Sequence, residues 1–289
     1  MKILIIGSGF LGTAIFEKFE SEGHELLIFS RTRSERIQSR QVLGDIFEFD
    51  EFSKVLDWKP QVVIHTAWIT TPGLYRNDIS NFEYATFTTN LAKAILHSNI
   101  EHLVILGSCA EYGVRVGPNE SILTTHSPLT LYAQQKVVAF NSTRELLLNS
   151  NVRLTWARVF HPYGRNQDPR RLIPSLINSL TKGEPAVLAD TSSIYDWITS
   201  RDIASAISWI LNNDLPIEID VGTSLGFTNL EITLMLEKLL KVRRHPASQR
   251  LDEFGLNETL VANENSPLFS SGWSPNDSLG AGLEWVLNQ

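Results

Sequence analysis

The chain has 289 residues, 43% of them hydrophobic and 20% charged, with 17 glycines, 12 prolines and one cysteine. That size accommodates one large α/β domain or a domain carrying a smaller lobe, and the apolar fraction excludes a disordered chain. The single cysteine, Cys109, excludes an intramolecular disulfide and a cysteine-based structural zinc site, and a net charge of −7 argues against nucleic acid as a principal partner.

The apolar run Ile3-Leu4-Ile5-Ile6 is too short for a signal-peptide core and passes directly into glycines. No stretch approaches the roughly 20 apolar residues that cross a bilayer. A cytoplasmic protein that does not touch a membrane is expected, and in that compartment the sequon at Asn141 carries no information.

Short Ile-, Val- and Leu-rich runs at 2–6, 26–29, 62–66, 103–107 and 153–158 read as parallel strands buried on both faces. Between them, amphipathic stretches predict helices over 10–22 (stopped by Gly23), 51–58 (with Asp50 as N-cap), 81–97 and 131–149. Five such steps predict a Rossmann-type, doubly wound α/β sheet. After Arg158 the texture changes. Prolines 162, 169, 174 and 185 interrupt the pattern, helices are predicted over 200–211 and 229–241 with a strand over 217–221, and 243–276 reads as polar and irregular. The expected division is a dinucleotide-binding core over 1–162, with 196–221 returning to it, and a small substrate-binding lobe from 163–195 and 222–289.

Gly7-Ser8-Gly9-Phe10-Leu11-Gly12 is a G-x-G-x-x-G loop between the first strand and first helix. Glycines there allow a tight turn and close backbone approach, and the helix N-terminus receives a pyrophosphate. At the end of the second strand, Phe29-Ser30-Arg31-Thr32-Arg33 has no carboxylate to hold a ribose 2′-hydroxyl. Ser30, Arg31 and Arg33 suit a 2′-phosphate, so NADP is expected over NAD, although these arginines also read as solvated loop charges.

Ser108 ends the strand at 103–107, and Tyr132 and Lys136 stand four apart on one helix face. A lysine ammonium beside the phenol lowers its pKa, making Tyr132 a general acid/base for carbinol–carbonyl interconversion, with Ser108 on the same oxygen. By itself a Tyr-x-x-x-Lys pair is usually helix surface.

Taken together, these motifs resemble the extended short-chain dehydrogenase/reductase family, the NAD(P)-dependent nucleotide-sugar epimerases and dehydratases. The resemblance extends to Gly44-Asp45-Ile46, similar to the family's adenine-contacting dipeptide, and to Val62–Ala67, similar to its fourth strand. It implies that Thr66, Ala67 and Trp68 line the cofactor and that Val159 meets the nicotinamide. Arg158–Gly164, Asp196-Trp197-Ile198, Asp202-Ile203-Ala204 and Gly272-Trp273-Ser274-Pro275 resemble further landmarks. The departures bear on the reaction. The glycine loop is one residue shorter than the family's, and Cys109-Ala110 replaces the Asp-Glu of 4,6-dehydratases, which excludes water elimination by that pair. Tyr84 stands where an asparagine is common, and Tyr195 where an arginine commonly holds the substrate diphosphate; Arg170, Arg171, Arg201 and Arg250 are the candidates to replace it.

Substrate contacts are expected from Trp68 (stacking on a ring), Cys109, Ala110, His161 and Arg171. Cys109 has no basic neighbour and reads as a neutral buried thiol. The seven histidines include no i, i+4 pair, so no metal site is expected. His65 reads as structural, and Trp156, Trp209, Trp273 and Trp285 as core. The reading that follows is an NADP-dependent reductase of a keto-sugar nucleotide. An epimerase that retains NAD(P) and a non-catalytic NADP sensor are the alternatives. The resemblance also implies a homodimer built on the helices at 81–97 and 131–149.

Overall fold

The computed structural model describes residues 1–37, 40–113, 126–188, 190–242, 248–249 and 258–288. The chain opens with β1 (Lys2–Ile6), α1 (Phe10–Ser21), β2 (Glu25–Ser30), β3 (Gln41–Leu43) and α2 (Phe49–Ser53), which tightens into a 3-10 turn over Lys54–Trp58. β4 (Val62–His65), α3 (Asn81–Ile95), β5 (His102–Ser108), a 3-10 turn (Cys109–Tyr112), α4 (Leu131–Leu147) and β6 (Arg153–Val159) follow. The remainder comprises β7 (His161–Tyr163), α5 (Leu172–Thr181), β8 (Val187–Leu188), β9 (Ile194–Thr199), α6 (Ser200–Asn212), β10 (Glu218–Val221), β11 (Gly226–Thr228), α7 (Asn229–Leu240), β12 (Ser248–Gln249), β13 (Thr259–Leu260), α8 (Pro267–Ser270) and α9 (Leu279–Leu287).

Seven parallel strands form one sheet in the order β10-β6-β5-β4-β1-β2-β3. β1 pairs with β2 on one side and β4 on the other, so the strand order reverses there and opens a crevice at the C-terminal ends. Alternation along β1 feeds two cores. Ile3 and Ile5 face Ile15 and Phe19 of α1 and Ile203 and Ile207 of α6, while Leu4 and Ile6 face the layer of Phe87 and Leu91 of α3 and Phe140 of α4. Each such buried side chain contributes about 1.5–3 kcal/mol. β9 carries a second, smaller sheet with β11, β13 and β7, and a third core gathers Leu176 of α5, Ile232 and Leu236 of α7, and Leu283 of α9.

Several expectations need correction. Asp50 is not a helix cap: α2 begins at Phe49 after Glu48, and the helix expected through 58 tightens into a 3-10 turn closed by Lys59 in the left-handed region, just before Pro60. Pro174 hides α5 from a reading of the sequence, because it sits in the first turn, where the backbone N–H has no intrahelical partner to lose. The segment expected to be irregular contains β13 and α8, and buries Leu260, Val261, Ala262, Leu268 and Trp273. Trp156 and Trp273 are buried as expected, but Trp209 and Trp285 are only partly so. Trp209 donates to Ser271 Oγ, and Trp285 lies beneath Arg165 and Arg201. Among the described residues, no helix is long and apolar enough to cross a membrane.

Candidate active site

A cleft of about 1340 Å³ follows the crevice at the strand ends. At its floor the glycine loop is held by its neighbours: Thr66 Oγ1 donates to the carbonyls of Ile6 (2.9 Å) and Gly7 (3.1 Å), and Thr13 Oγ1 donates to that of Ser8 (3.0 Å). Gly7 has φ +106°, and a Cβ there would stand 2.7 Å from Thr66 Oγ1. A Cβ on Gly12 would run into the Gly7 carbonyl. Gly9, the extended residue before α1, is different, since nothing lies within 4 Å of a Cβ built on it. Open space over a backbone cradle at a helix N-terminus fits a dinucleotide pyrophosphate. Ser8, Phe10 and Leu11 line the same wall.

At the end of β2, Arg31 lines the cleft and Arg33 is not among the lining residues. Ser30 lines it too, but its hydroxyl is engaged: it donates to Thr32 O (2.9 Å) and accepts from Gln41 Nε2 (2.8 Å). Gln41, on the edge strand β3, also takes the Ser34 N–H and so shapes this loop, a role that no sequence motif signals. Ile46 lines the cleft. Asp45 does not, and its Oδ1 accepts from Phe47 N at 3.0 Å.

Ser108, Tyr132 and Lys136 converge on the cleft from β5 and α4. Thr130 caps α4 by accepting from Ala133 N, and Tyr132 N donates to Arg76 O at 2.9 Å. Lys136 Nζ donates to Leu106 O at 2.6 Å and stands 3.9 Å from the Trp68 ring centre and 5.9 Å from that of Tyr132. Burial draws the lysine pKa down to about 7, against the opposing pull of Glu111. The expected lowering of Tyr132 by Lys136 is not what these surroundings produce. Burial pushes the phenol well up, opposed by its hydrogen bond with Ser108.

Trp68 lines the cleft but its ring is engaged within the protein, stacked on Tyr84 at 5.5 Å with Lys136 over it, and its Nε1 donates to Asn81 Oδ1. The ring it stacks on is therefore that of Tyr84, in place of the substrate ring expected for it. His65, beside it, is buried, contacts Thr88 Oγ1 at 3.0 Å, and is held near pKa 3 by burial and then by Lys136. Ala67 and Val159 complete this wall.

Cys109 and Ala110 line the cleft beyond Ser108, and burial followed by nearby carboxylates pushes the Cys109 thiol up, as expected of an inert thiol. His161 packs against Tyr195 and Trp197, with its pKa drawn down to about 3 by burial, Arg76 and Arg171. Among the four candidate arginines, Arg171 lines the cleft. It donates to Thr70 O at 2.5 Å and lies over the Tyr75 ring. Arg170 is paired with Asp168, Arg201 is paired with Asp277 and lies over Trp285, and Arg250 lies outside the described residues. Sequence reasoning missed Arg76, which lines the cleft from the loop after β4, and Glu258, which accepts from the Tyr195 hydroxyl at 3.2 Å. Looking for cations in the loop after the fourth strand would have found Arg76. Among the described residues, no cluster of three His, Cys, Asp or Glu could hold a metal.

A glycine cradle after β1, with Ser108 from β5 and Tyr132 and Lys136 from α4 on the same cleft, defines an NAD(P)-dependent enzyme of the short-chain dehydrogenase type. The chain belongs to the NAD dependent epimerase/dehydratase family, whose profile matches residues 3–222. Solved structures share the fold at low sequence identity. UDP-glucose 4-epimerase of Thermus thermophilus in complex with NAD superposes with a TM-score of 0.88 at 21% identity, covering 100% of this chain and 98% of that one. UDP-N-acetylglucosamine 4-epimerase of Methanobrevibacter ruminantium M1, in complex with UDP-N-acetylmuramic acid, gives 0.88 at 19%, covering 99% and 97%. dTDP-glucose 4,6-dehydratase of Bacillus anthracis in complex with NAD gives 0.84 at 22%, covering 100% and 96%.

Proposed function

We propose that the chain is an NADP-dependent reductase of a keto-sugar nucleotide. The observation that carries this reading is the end of β2, where Arg31 lines the cleft and no carboxylate from 29–33 stands to repel a 2′-phosphate. Gly7, Gly9 and Gly12 would cradle the pyrophosphate, and Thr66, Ala67, Lys136 and Val159 would line the nicotinamide end. When bound, the cofactor supplies the hydride. Tyr132 donates its proton to the substrate oxygen, Ser108 orients that oxygen, and the Lys136 ammonium stabilises charge left on the phenol. Tyr132 enters the reaction as the protonated phenol, the form that can give a proton to the carbonyl oxygen. Arg171 and Arg76 are the cationic groups positioned for substrate phosphates, with His161, Cys109 and Ala110 beside the sugar. The small sheet around β9, with α5, α7 and α9, would form the substrate lobe.

Epimerisation is the second reading, favoured by the family and by the two nucleotide-sugar 4-epimerases named above. The discriminating experiment follows NADPH oxidation against a panel of 4-keto-6-deoxy sugar nucleotides. Stoichiometric NADPH loss supports reduction, and product without NADPH loss supports epimerisation. A homodimer through α3 and α4 is part of the proposal, with Phe82 and Val138 exposed on those helices. Light scattering on the eluted protein tests it.

A further inference from the structure

Beneath Ser108 lies a charge pair that the reaction itself does not call for. Glu111 is fully buried and Arg158 almost so, and Arg158 Nε donates to Glu111 Oε2 at 2.7 Å. Every described partner of the Glu111 carboxylate is a donor. Besides Arg158, it accepts from Trp156 Nε1 (3.0 Å to each oxygen) and from the backbone N–H of Ser108 (2.8 Å). Ser108 Oγ in turn accepts from Ala110 N at 3.2 Å, so the carboxylate and the hydroxyl lock the 3-10 turn reciprocally. A Cβ on Gly107 would run into Trp156 Nε1 and stand 2.8 Å from Glu111 Oε1, so a glycine here leaves room for the indole and the carboxylate it binds.

The arginine extends this lock to the other catalytic element. Its guanidinium lies 5.2 Å from the Tyr112 ring centre and 5.1 Å from that of Phe140, which is one helical turn beyond Lys136 on α4. The remaining guanidinium nitrogens meet Glu218 Oε2 and His126 Nε2, each at 2.7 Å. Removing two charges from water costs several kcal/mol and is seldom repaid in stability, so a buried pair of this kind fits a demand for geometry. We propose that the Glu111–Arg158 pair is a positioning device for the reaction, fixing the turn that carries Ser108 against the helix that carries Tyr132 and Lys136. This inference rests on the reading of those three residues as the catalytic set.

The test uses the full chain as Glu111→Asp, Glu111→Gln and the double variant Glu111→Gln/Arg158→Met, which removes the cation that the single variant would strand. With the best substrate of the keto-sugar nucleotide panel, Glu111→Gln is expected to lower kcat roughly 10- to 100-fold. KM and NADPH affinity should stay within about two-fold, since those contacts are made elsewhere. Glu111→Asp, which keeps the charge on a shorter arm, should recover part of kcat. The double variant should recover the melting temperature but not kcat. A double variant with wild-type kcat, or a loss confined to KM, overturns the proposal. A crystal structure of the double variant gives a readout independent of turnover: Ser108 Oγ withdrawn from Tyr132 supports positioning, and an unmoved Ser108 refutes it. If the wild type turns over no member of the panel, the reductase reading fails, and the crystal structure still decides the role of the pair.

Discussion

Asp196→Asn is a sharp test of how the C-terminal segments are held together. Asp196, on β9, is fully buried, and its carboxylate accepts from Thr223 N at 2.8 and 2.9 Å, Thr223 Oγ1 at 2.7 Å, Ser224 N at 2.9 Å and Ala262 N at 3.1 Å. One side chain thus ties the loop after β10 and the segment after β13 to the small sheet. Asparagine keeps one acceptor oxygen and turns an NH₂ group toward donors. If the amide oxygen keeps the Thr223 contacts at Oδ1, the N–H groups of Ser224 and Ala262 lose their acceptor. At about 1.5 kcal/mol for each buried N–H left unmatched, the loss is roughly 3 kcal/mol. For a chain of this length that corresponds to a melting-temperature drop of about 6–12 °C. Thermal unfolding followed by circular dichroism reads this directly, and a midpoint within about 2 °C of wild type would refute the assignment of Asp196 as the tie.

Arg31→Asp should weaken NADPH binding by at least about ten-fold and improve NADH binding, as measured by calorimetric titration; unchanged preference would remove the basis for choosing NADP. Tyr132→Phe should abolish turnover while leaving NADPH affinity within about two-fold, and residual turnover near wild type would exclude Tyr132 as the proton donor. Stability should decline in acid. His65, His102 and His161 are each drawn from 6.5 to about 3 mainly by burial, so the folded state resists a proton that the unfolded chain accepts. The contribution of these three histidines is therefore full above pH 6.5 and falls by roughly 1 kcal/mol per pH unit for each of them on the way to pH 3. Asp220, raised from 3.8 to about 6 by burial, acts oppositely between those values, favouring the fold at the acid end. Urea midpoints should thus begin to fall near pH 6.5 and fall more steeply between pH 6 and about 4, and a flat profile across that range would show these imidazoles to be solvated.

What the sequence makes legible here is what lies close together along it. β1, β4 and β5 stand out because strands covered on both faces are continuous apolar runs. β3 does not, because three edge residues carry no period, and α5 is masked by a proline placed where a helix tolerates one. The glycine loop and the Tyr132–Lys136 spacing are local and readable. Contacts between distant residues are not: Tyr195 meets Glu258 across 63 positions, and Tyr112 meets Asp220 across 108. Lys136 illustrates the difference well. Its spacing from Tyr132 predicts an electrostatic effect on the phenol, whereas the folded surroundings give it Leu106 O and the Trp68 face as nearest partners, and burial dominates both groups.

The indole of Trp68 also makes the cleft optically addressable. Stacked on Tyr84 and topped by Lys136, it is a chromophore fixed in the wall of the site rather than a surface reporter. Reduced nicotinamide accepts excitation from tryptophan, so NADPH entering the cleft should quench emission and sensitise its own fluorescence. Trp68→Phe should reduce that signal, and Trp197, which lines the same cleft, should supply part of what is left. Such a signal would report cofactor occupancy before any substrate is known.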